Sequence, residues 1–224
     1  MQSSAESHST AWRNRQRRTD MAQPEQTIEN ELRAAGFRAI CGVDEAGRGP
    51  LCGPVVAAAC ILPEGVIPEG LNDSKKLTAK RRDALFEEIK RVAVAYCIAE
   101  ASVEEINELN ILEADLLAMR RAIAGLQVPA DYALIDGNIA RDFPIPARAV
   151  IHGDAISASI AAASILAKVT RDRECLELDR LYPQYGIAKH KGYGTKAHMD
   201  ALRQYGPSPI HRTKFIRFLD DADR

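Results

Sequence analysis

The chain has 224 residues, of which 46% are hydrophobic, so it can build a sizeable core and one large domain is the simplest arrangement. Lys and Arg number 30 against 31 Asp and Glu, and the formal net charge of −1 excludes a uniformly basic nucleic-acid binder. Any contact with a polyanion must therefore be local.

The cysteines and the apolar runs indicate the cellular compartment in which the protein is expected to work. Five cysteines include no Cys-x-x-Cys pair, and their odd number argues against a closed disulfide framework. No apolar run approaches the roughly 18 residues that cross a bilayer, and the N-terminus lacks the pattern of a signal peptide. We therefore expect a cytoplasmic protein that does not enter a membrane. The five histidines show no spacing such as His-x-x-x-His, which argues against a zinc site.

The first elements are a tail and a helix. Residues 1–26 are polar and predict a disordered extension, in which a basic cluster at residues 13–18 is either solvated or touches a polyanion. The ordered domain is predicted to span residues 27–224. Thr27 is the expected N-cap of a helix near residues 28–35.

Asp44 and Glu45 end an apolar strand predicted near residues 38–44, and Gly47-Arg48-Gly49 follows. Unpaired carboxylates are costly at the edge of a core unless a cation compensates them, and glycines let backbone amides approach an anion. Successive strand side chains point to opposite faces, so the strand must end or bulge for both acids to reach one metal. A sharp hairpin with an N-terminal acid would use the same residues.

The middle of the chain continues the α/β pattern. An apolar strand is predicted at residues 54–62, a loop at 63–70, a helix capped by Thr78, and a strand near 94–101. Asn110 and Glu113 resemble a capping box for a further helix with a core-facing apolar stripe.

Two more strands each lead to an acid. The run 132–135 is followed by Asp136, and the run 147–151 is followed by Asp154 and a long helix to about residue 181. Because ligands of open α/β sheets lie beyond strand ends, these acids are predicted to converge on Asp44 and Glu45. Individually, Asp136 could belong to a turn and Asp154 could cap the helix.

These motifs resemble the ribonuclease HII family of bacteria. The segment from Gly42 to Pro50, Gly-Val-Asp-Glu-Ala-Gly-Arg-Gly-Pro, is similar to the opening signature of that family. The resemblance covers about residues 28–215, and the other similar segments follow in the same order: 73–77, 110–112, 135–137, 153–154, 161–172 and 190–195.

The resemblance implies a ribonuclease H-like mixed β-sheet flanked by helices, with a helical C-terminal part. It implies that Asp44, Glu45, Asp136 and Asp154 are catalytic and bind Mg²⁺ or Mn²⁺, two ions during catalysis, which suits hard cations and oxygen ligands. The expected reaction is hydrolysis of the RNA strand of RNA–DNA hybrids, and incision 5′ of single ribonucleotides in duplex DNA. The products would carry 3′-hydroxyl and 5′-phosphate ends.

The resemblance also assigns substrate contacts. Gly47, Arg48 and Gly49 would recognise the 2′-hydroxyl and the scissile phosphate, Tyr193 would pack on the sugar, and Lys75 would contact a phosphate. Arg48 could instead only pair with an acid, Tyr193 could be an ordinary loop residue, and Lys75 could be solvated. The partners expected are RNA–DNA hybrid and ribonucleotide-containing DNA, bound by a monomer.

Two positions depart from the family pattern. Asp115 stands where Thr is usual and Lys214 where Ser is common, and both are expected to lie away from the four acids. Two rival functions remain open: a carboxylate-metal phosphatase for small phosphoesters, and a hybrid-binding module that has lost catalysis.

Overall fold

The computed structural model describes residues 23–219, and five strands form one mixed sheet. The strands are β1 (Ile40–Ala46), β2 (Val55–Ile61), β3 (Ala95–Ala101), β4 (Tyr132–Asp136) and β5 (Ala147–Val150). Their order across the sheet is β3-β2-β1-β4-β5. β2 pairs antiparallel with both β1 and β3, whereas β1–β4 and β4–β5 are parallel. The predicted mixed sheet is confirmed.

Eight α-helices lie in the described part of the chain. They are α1 (Thr27–Ala34), α2 (Ala79–Val92), α3 (Val103–Leu109), α4 (Ile111–Ala124), α5 (Gly153–Ile156), α6 (Ala158–Leu181), α7 (Ile187–His190) and α8 (Lys196–Tyr205). Short 3₁₀ turns cover Ser74–Lys76, Pro183–Tyr185 and Thr213–Phe215. Helix α4 covers one face of the sheet and helices α6 and α2 cover the other, so the strands in the middle are buried on both faces.

Helix α6 approaches the sheet unusually closely at β1. A Cβ atom added to Gly42 would lie 2.1 Å from the backbone of both Ser159 and Ile160. The first turns of α6 consist of small residues, which permit this distance. Gly42 and Asp44 share one face of β1 because side chains alternate along a strand, so Asp44 is held against α6.

A buried acid near the N-terminus fixes the start of α6. Glu29 of α1 is fully buried, and its Oε1 atom accepts hydrogen bonds from Ser157 Oγ at 2.7 Å and from Ser159 N at 3.1 Å. Ser157 Oγ accepts from Ile160 N at 3.2 Å. These bonds satisfy amides at the beginning of the helix. They tie α1 to the segment that carries Asp154.

The ordered structure begins earlier than the predicted boundary. Gln26 is buried and its side chain donates to Pro63 O at 2.8 Å, while Glu25 forms a bridge with Ser157. Residues 23–26 thus pack on the domain. The predicted disorder and the basic cluster before residue 23 lie outside the described residues.

Four local predictions need correction. Gln26, not Thr27, occupies the N-cap of α1. β1 neither ends nor bulges at the acid pair, because its register with β2 continues to Ala46. Asp154 lies inside the short helix α5, and a break at Ser157 separates it from α6.

The fourth correction concerns the capping box. It occurs at Ser102 and Glu105, at the start of α3, and not at Asn110 and Glu113. Asn110 still caps α4 by accepting from two amides, but Glu113 pairs with Arg141. Thr78 caps α2 as predicted, and Thr195 caps α8. In residues 23–219 we find no helix with the length and apolar character required to cross a membrane.

Candidate active site

Asp44 lies in the interior of the sheet, at the centre of the acid cluster. It is buried, and its Oδ1 atom accepts a hydrogen bond from Glu45 N at 2.7 Å. Burial raises its pKa well above the ordinary value, and the negative charges of Glu45 and Asp136 raise it further, while a hydrogen bond from Ser164 of α6 acts in the opposite direction. The negative charge of Asp44 is therefore disfavoured by its burial and by the neighbouring carboxylates Glu45 and Asp136.

Asp136 is brought beside Asp44 by the parallel pairing of β4 with β1. Val43 pairs with Ile135, so the next residue of each strand, Asp44 and Asp136, points to the same face. Asp136 Oδ1 accepts from Gly153 N at 2.7 Å, which joins β4 to the start of α5. Asp136 follows an apolar strand as predicted, and its carboxylate faces the cluster.

Asp154 reaches the cluster from α5. Burial raises its pKa, and the charges of Asp73 and Asp136 act in the same direction. Lys75 places its Nζ atom 3.9 Å from Asp154 Oδ2, although the lysine side chain is 80% exposed. Burial lowers the pKa of Lys75, but the surrounding acids outweigh it and the pKa is raised. Lys75 thus lies beside the acids and also faces the solvent.

Glu45 follows Asp44 on β1, and its carboxylate interacts with both the Asp44 side chain and Arg48. Burial raises its pKa, and Arg48 lowers it. Arg48 pairs with Glu45 Oε1 at 3.5 Å and, through Nε, with Asp115 Oδ2 at 3.5 Å. Arg48 therefore pairs with two acids, as the alternative interpretation of this residue predicted. Its guanidinium remains about half exposed at the cavity.

Asp115 is a fifth acid that the sequence analysis placed away from the site, and that expectation was wrong. It is 2% exposed, and its Oδ1 atom has no hydrogen-bond partner among residues 23–219. Burial raises its pKa to about 8, and Glu45 contributes to the rise. The sequence held a signal, because Asp115 lies three residues after Leu112 and four before Met119, on the apolar stripe of α4.

Replacing Asp115 with Asn is expected to stabilise the metal-free protein at pH 8. The folded-state pKa of about 8 exceeds the ordinary 3.8, so the wild type loses stability as the pH rises through this window. Asn does not titrate, and the loss between pH 5 and pH 8 should shrink by at least about 1 kcal/mol. Urea denaturation at both pH values measures the difference. Asp142→Asn, at an exposed acid, is the control, and equal pH dependence of Asp115→Asn and wild type would refute the expectation.

Two adjoining cavities hold these residues. One, of about 310 Å³, is lined by Asp44, Glu45, the loop Gly47–Gly49 and Tyr193. The other, of about 390 Å³, is lined by Asp136 and Asp154, and Lys75 lines both. The structure thus brings all nine residues predicted for the site to two cavities that share Lys75.

The glycine-rich loop and Tyr193 are in contact. A Cβ atom added to Gly49 would lie 3.3 Å from Tyr193 Cε1, and Leu51 N donates to Gly192 O at 2.8 Å. Tyr193 is 51% exposed, so one side of its ring remains open to the cleft. The loops 47–54 and 190–195 therefore form one continuous wall.

The acid cluster suits a divalent metal. Its donors are carboxylate oxygens, the ligands that Mg²⁺ and Mn²⁺ prefer. The raised pKa values of Asp44, Glu45 and Asp154 arise from burial and mutual repulsion, which a bound cation would offset. The residues present therefore fit the metal, with Asp44, Glu45, Asp136 and Asp154 as its candidate ligands.

A second cluster, distant in sequence, could not be found from histidine spacing. The ligand atoms of Cys52, His198 and His211 lie within 4.8 Å of one another, and all three residues are buried. The hydrogen bonds define the tautomers: Ser208 N donates to His211 Nδ1, His211 Nε2 donates to His198 Nε2 at 3.2 Å, and His198 Nδ1 donates to Tyr193 O at 3.0 Å. Every imidazole nitrogen of this pair is satisfied without a metal.

Comparisons with known proteins identify the family and the fold. A family model described as Ribonuclease HII matches residues 41–218. The ribonuclease HII of Caulobacter vibrioides is 59% identical over 189 residues, covering 84% of this chain and 88% of that protein. The ribonuclease HII of Desulfitobacterium hafniense is 54% identical over 195 residues, covering 87% of this chain and 75% of that protein. A solved ribonuclease H2 from Pyrococcus horikoshii has a TM-score of 0.69 at 29% identity, covering 83% of this chain and 98% of that one.

A mixed five-stranded sheet that gathers acids from neighbouring strand ends defines the class of ribonuclease H-like hydrolases. The family model spans most of the chain, and relatives above 50% identity cover more than four fifths of it. The chain belongs to the ribonuclease HII family. It is a metal-dependent endoribonuclease that acts on the RNA strand of RNA–DNA hybrids.

Proposed function

We propose that this enzyme also incises duplex DNA on the 5′ side of a single embedded ribonucleotide, leaving 3′-hydroxyl and 5′-phosphate ends. The observation that carries the proposal is the shared cavity in which the acids Asp44 and Glu45 meet the loop Gly47–Gly49 and Tyr193. One ribonucleotide placed there would present its phosphate to the acids and its sugar to the loop. Such a site needs no long run of RNA.

Asp44, Glu45, Asp136 and Asp154 are proposed to hold two Mg²⁺ or Mn²⁺ ions. When bound, the ions supply activation of a water and stabilisation of the leaving oxygen. The protein's part is to hold the carboxylates rigidly: Asp44 on a central strand against α6, and Asp136 through its bond from Gly153 N. Lys75, beside Asp154, is placed to contact a phosphate.

The loop Gly47–Gly49 is proposed to recognise the 2′-hydroxyl. Gly47 has φ of +99°, and a Cβ there would meet Arg171 Nε at 2.9 Å, so only glycine fits both the conformation and the space. The 2′-hydroxyl is the group that distinguishes RNA from DNA at one position. Tyr193, in contact with Gly49, is proposed to pack on the neighbouring sugar.

We further propose a single catalytic domain that works as a cytoplasmic monomer. All five cysteines are free, and four of them are buried. Burial raises the pKa of Cys41 to about 12 and that of Cys52 to about 11, which keeps these thiols protonated and unreactive. Such a set of thiols supports a reducing compartment.

The decisive experiment compares duplexes that differ by one hydroxyl. The protein is incubated with Mg²⁺ or Mn²⁺ and a DNA duplex containing one ribonucleotide, beside an all-DNA duplex of the same sequence. A site that hydrogen-bonds a substrate hydroxyl rejects the analogue lacking it by about 10⁴-fold. We therefore expect cuts only at the 5′ side of the ribonucleotide, lost with a chelator.

Three other outcomes would replace the proposal. Cleavage of a uniform RNA–DNA hybrid without cleavage at the single ribonucleotide would remove the junction activity. Hydrolysis of a small phosphoester with both nucleic acids left intact would support a phosphatase. Binding of the hybrid without any cleavage would support a silent binding module.

A further inference from the structure

Arg212 is a fully buried arginine next to the substrate-binding loop. Its guanidinium has five N–H groups, and all five donate to backbone carbonyls at 2.6–3.0 Å. The acceptors belong to one loop and are the carbonyl oxygens of Gly47, Arg48, Pro50, Gly53 and Pro54. No donor of this side chain remains for any other role.

A second arginine supports the same loop. Arg171 of α6 is 3% exposed, donates to Cys52 O at 2.8 Å, and approaches Cys175 Sγ. Within residues 23–219 neither Arg171 nor Arg212 forms a salt bridge with a carboxylate. Two positive charges are thus buried behind the loop. Backbone carbonyls accept from both guanidinium groups, and Glu174 interacts electrostatically with Arg171 alone.

The hydrogen bonds of Arg212 determine which side of the loop faces the cleft. The carbonyl groups of the loop point inward to the Arg212 guanidinium. The backbone amides of Arg48 and Gly49 have no protein acceptor in the described part of the chain. These amides are available to an anion or a hydroxyl, and the buried charges behind them strengthen an interaction with a phosphate.

We propose that Arg212 is the positioning residue for ribonucleotide recognition: it holds the loop 47–54 in the one conformation that presents the Arg48 and Gly49 amides to the ribonucleotide. The inference rests on the proposed function of this loop. It predicts that Arg212 determines discrimination between ribonucleotide and deoxyribonucleotide, although it does not touch the substrate.

The test measures binding in an Asp44→Asn background, which removes cleavage. Fluorescence anisotropy with Ca²⁺ gives the dissociation constants of two duplexes, one with a single ribonucleotide and one of DNA alone. Arg212→Lys keeps the charge but can serve at most three of the five carbonyls. We expect its preference for the ribonucleotide duplex to fall about tenfold, with the all-DNA affinity changed less than about twofold.

Arg121→Lys is the matched control, because Arg121 also donates to a carbonyl, Glu100 O, and pairs with Glu105. It should keep the preference of the parent. An unchanged preference in folded Arg212→Lys would overturn the proposal, as would an equal loss of affinity for both duplexes. If the parent itself shows no preference and the wild type does not cut at the ribonucleotide, the proposed function fails and the role of Arg212 falls with it; a parent that keeps its preference while Arg212→Lys does not lose it overturns the role of Arg212 alone.

Should Arg212→Lys not fold, the wild-type protein provides the test. Backbone NMR order parameters of residues 47–54 should reach the rigid value of about 0.85 without substrate. Values below about 0.6 in this loop would overturn the proposal, since a loop that is mobile in the presence of Arg212 is not positioned by it.

Discussion

Asp44→Asn is expected to lower metal-dependent cleavage about 10³-fold or more, while the metal-free protein becomes more stable. Asn keeps the shape of Asp and can accept the hydrogen bond from Glu45 N, but it removes the negative charge that a metal requires. A buried carboxylate without its metal is costly, and the substitution removes that cost. Loss of activity and gain of stability should therefore occur together.

The sign of the stability change follows from the pKa of Asp44. Burial and the neighbouring acids raise this pKa far above its ordinary value of 3.8. A carboxyl group with a raised pKa in the folded state favours folding when protonated, so stability falls as the pH rises above about 4. At neutral pH, Asp44→Asn should raise the melting temperature without metal, and each 1 kcal/mol gained corresponds to about 2–4 °C.

Thermal melts with and without Mn²⁺ measure the expected change in the stability of Asp44→Asn. Mn²⁺ should stabilise the wild type, because a ligand that binds only the folded state adds to its stability, and it should stabilise Asp44→Asn much less. Asp83→Asn, at an exposed acid of α2, is the control and should match the wild type. Cleavage by Asp44→Asn within about tenfold of wild type would disprove the role of this carboxylate.

Gly42→Ala is expected to have the largest effect on folding. The added Cβ would lie 2.1 Å from the backbone of Ser159 and Ile160, and no side-chain movement relieves a clash with backbone. Helix α6 would have to move away from β1, opening the contact that holds Asp44. We expect a loss of at least about 3 kcal/mol, above the usual range for one extra methyl group.

Gly65→Ala separates this clash from ordinary glycine effects. Gly65 has φ of +71° with no atom within 4 Å of an added Cβ, so only backbone strain of about 1 kcal/mol is expected. Urea denaturation of both variants gives the comparison. A loss for Gly42→Ala no greater than that for Gly65→Ala would mean that α6 does not approach β1 as described.

The sequence predicted those parts of the sheet and of the candidate site that depend on neighbouring residues in the chain. The apolar runs before Asp44, Asp136 and Asp154 mark three strands, and acids at such strand ends converge by the rules of α/β sheets. The continuation of β1 through Glu45 could not be predicted, because it depends on pairing with β2. The resulting position of Glu45, in electrostatic contact with Asp44, Arg48 and Asp115 together, was not predicted either.

The contacts that support the site join residues that are far apart in sequence, and no local sequence pattern predicts them. Glu29 binds the start of α6 across 128 residues of sequence, and the histidine pair is joined by bonds between segments 13 residues apart. A glutamate in a polar helix and a histidine in a C-terminal segment read as surface residues. Only the tertiary structure shows that they are buried and hydrogen-bonded.

The anchor of the glycine-rich loop lies 158–165 residues downstream of the carbonyls that it binds. During synthesis, the segments that carry all four acids emerge before Arg212 does, and contacts of such long sequence separation slow folding. We therefore expect a folding chain to bring the four acids together before Arg212 anchors the loop 47–54. Under the roles proposed for the acids and for the loop, the C-terminal segment would complete selectivity after the capacity for cleavage is in place.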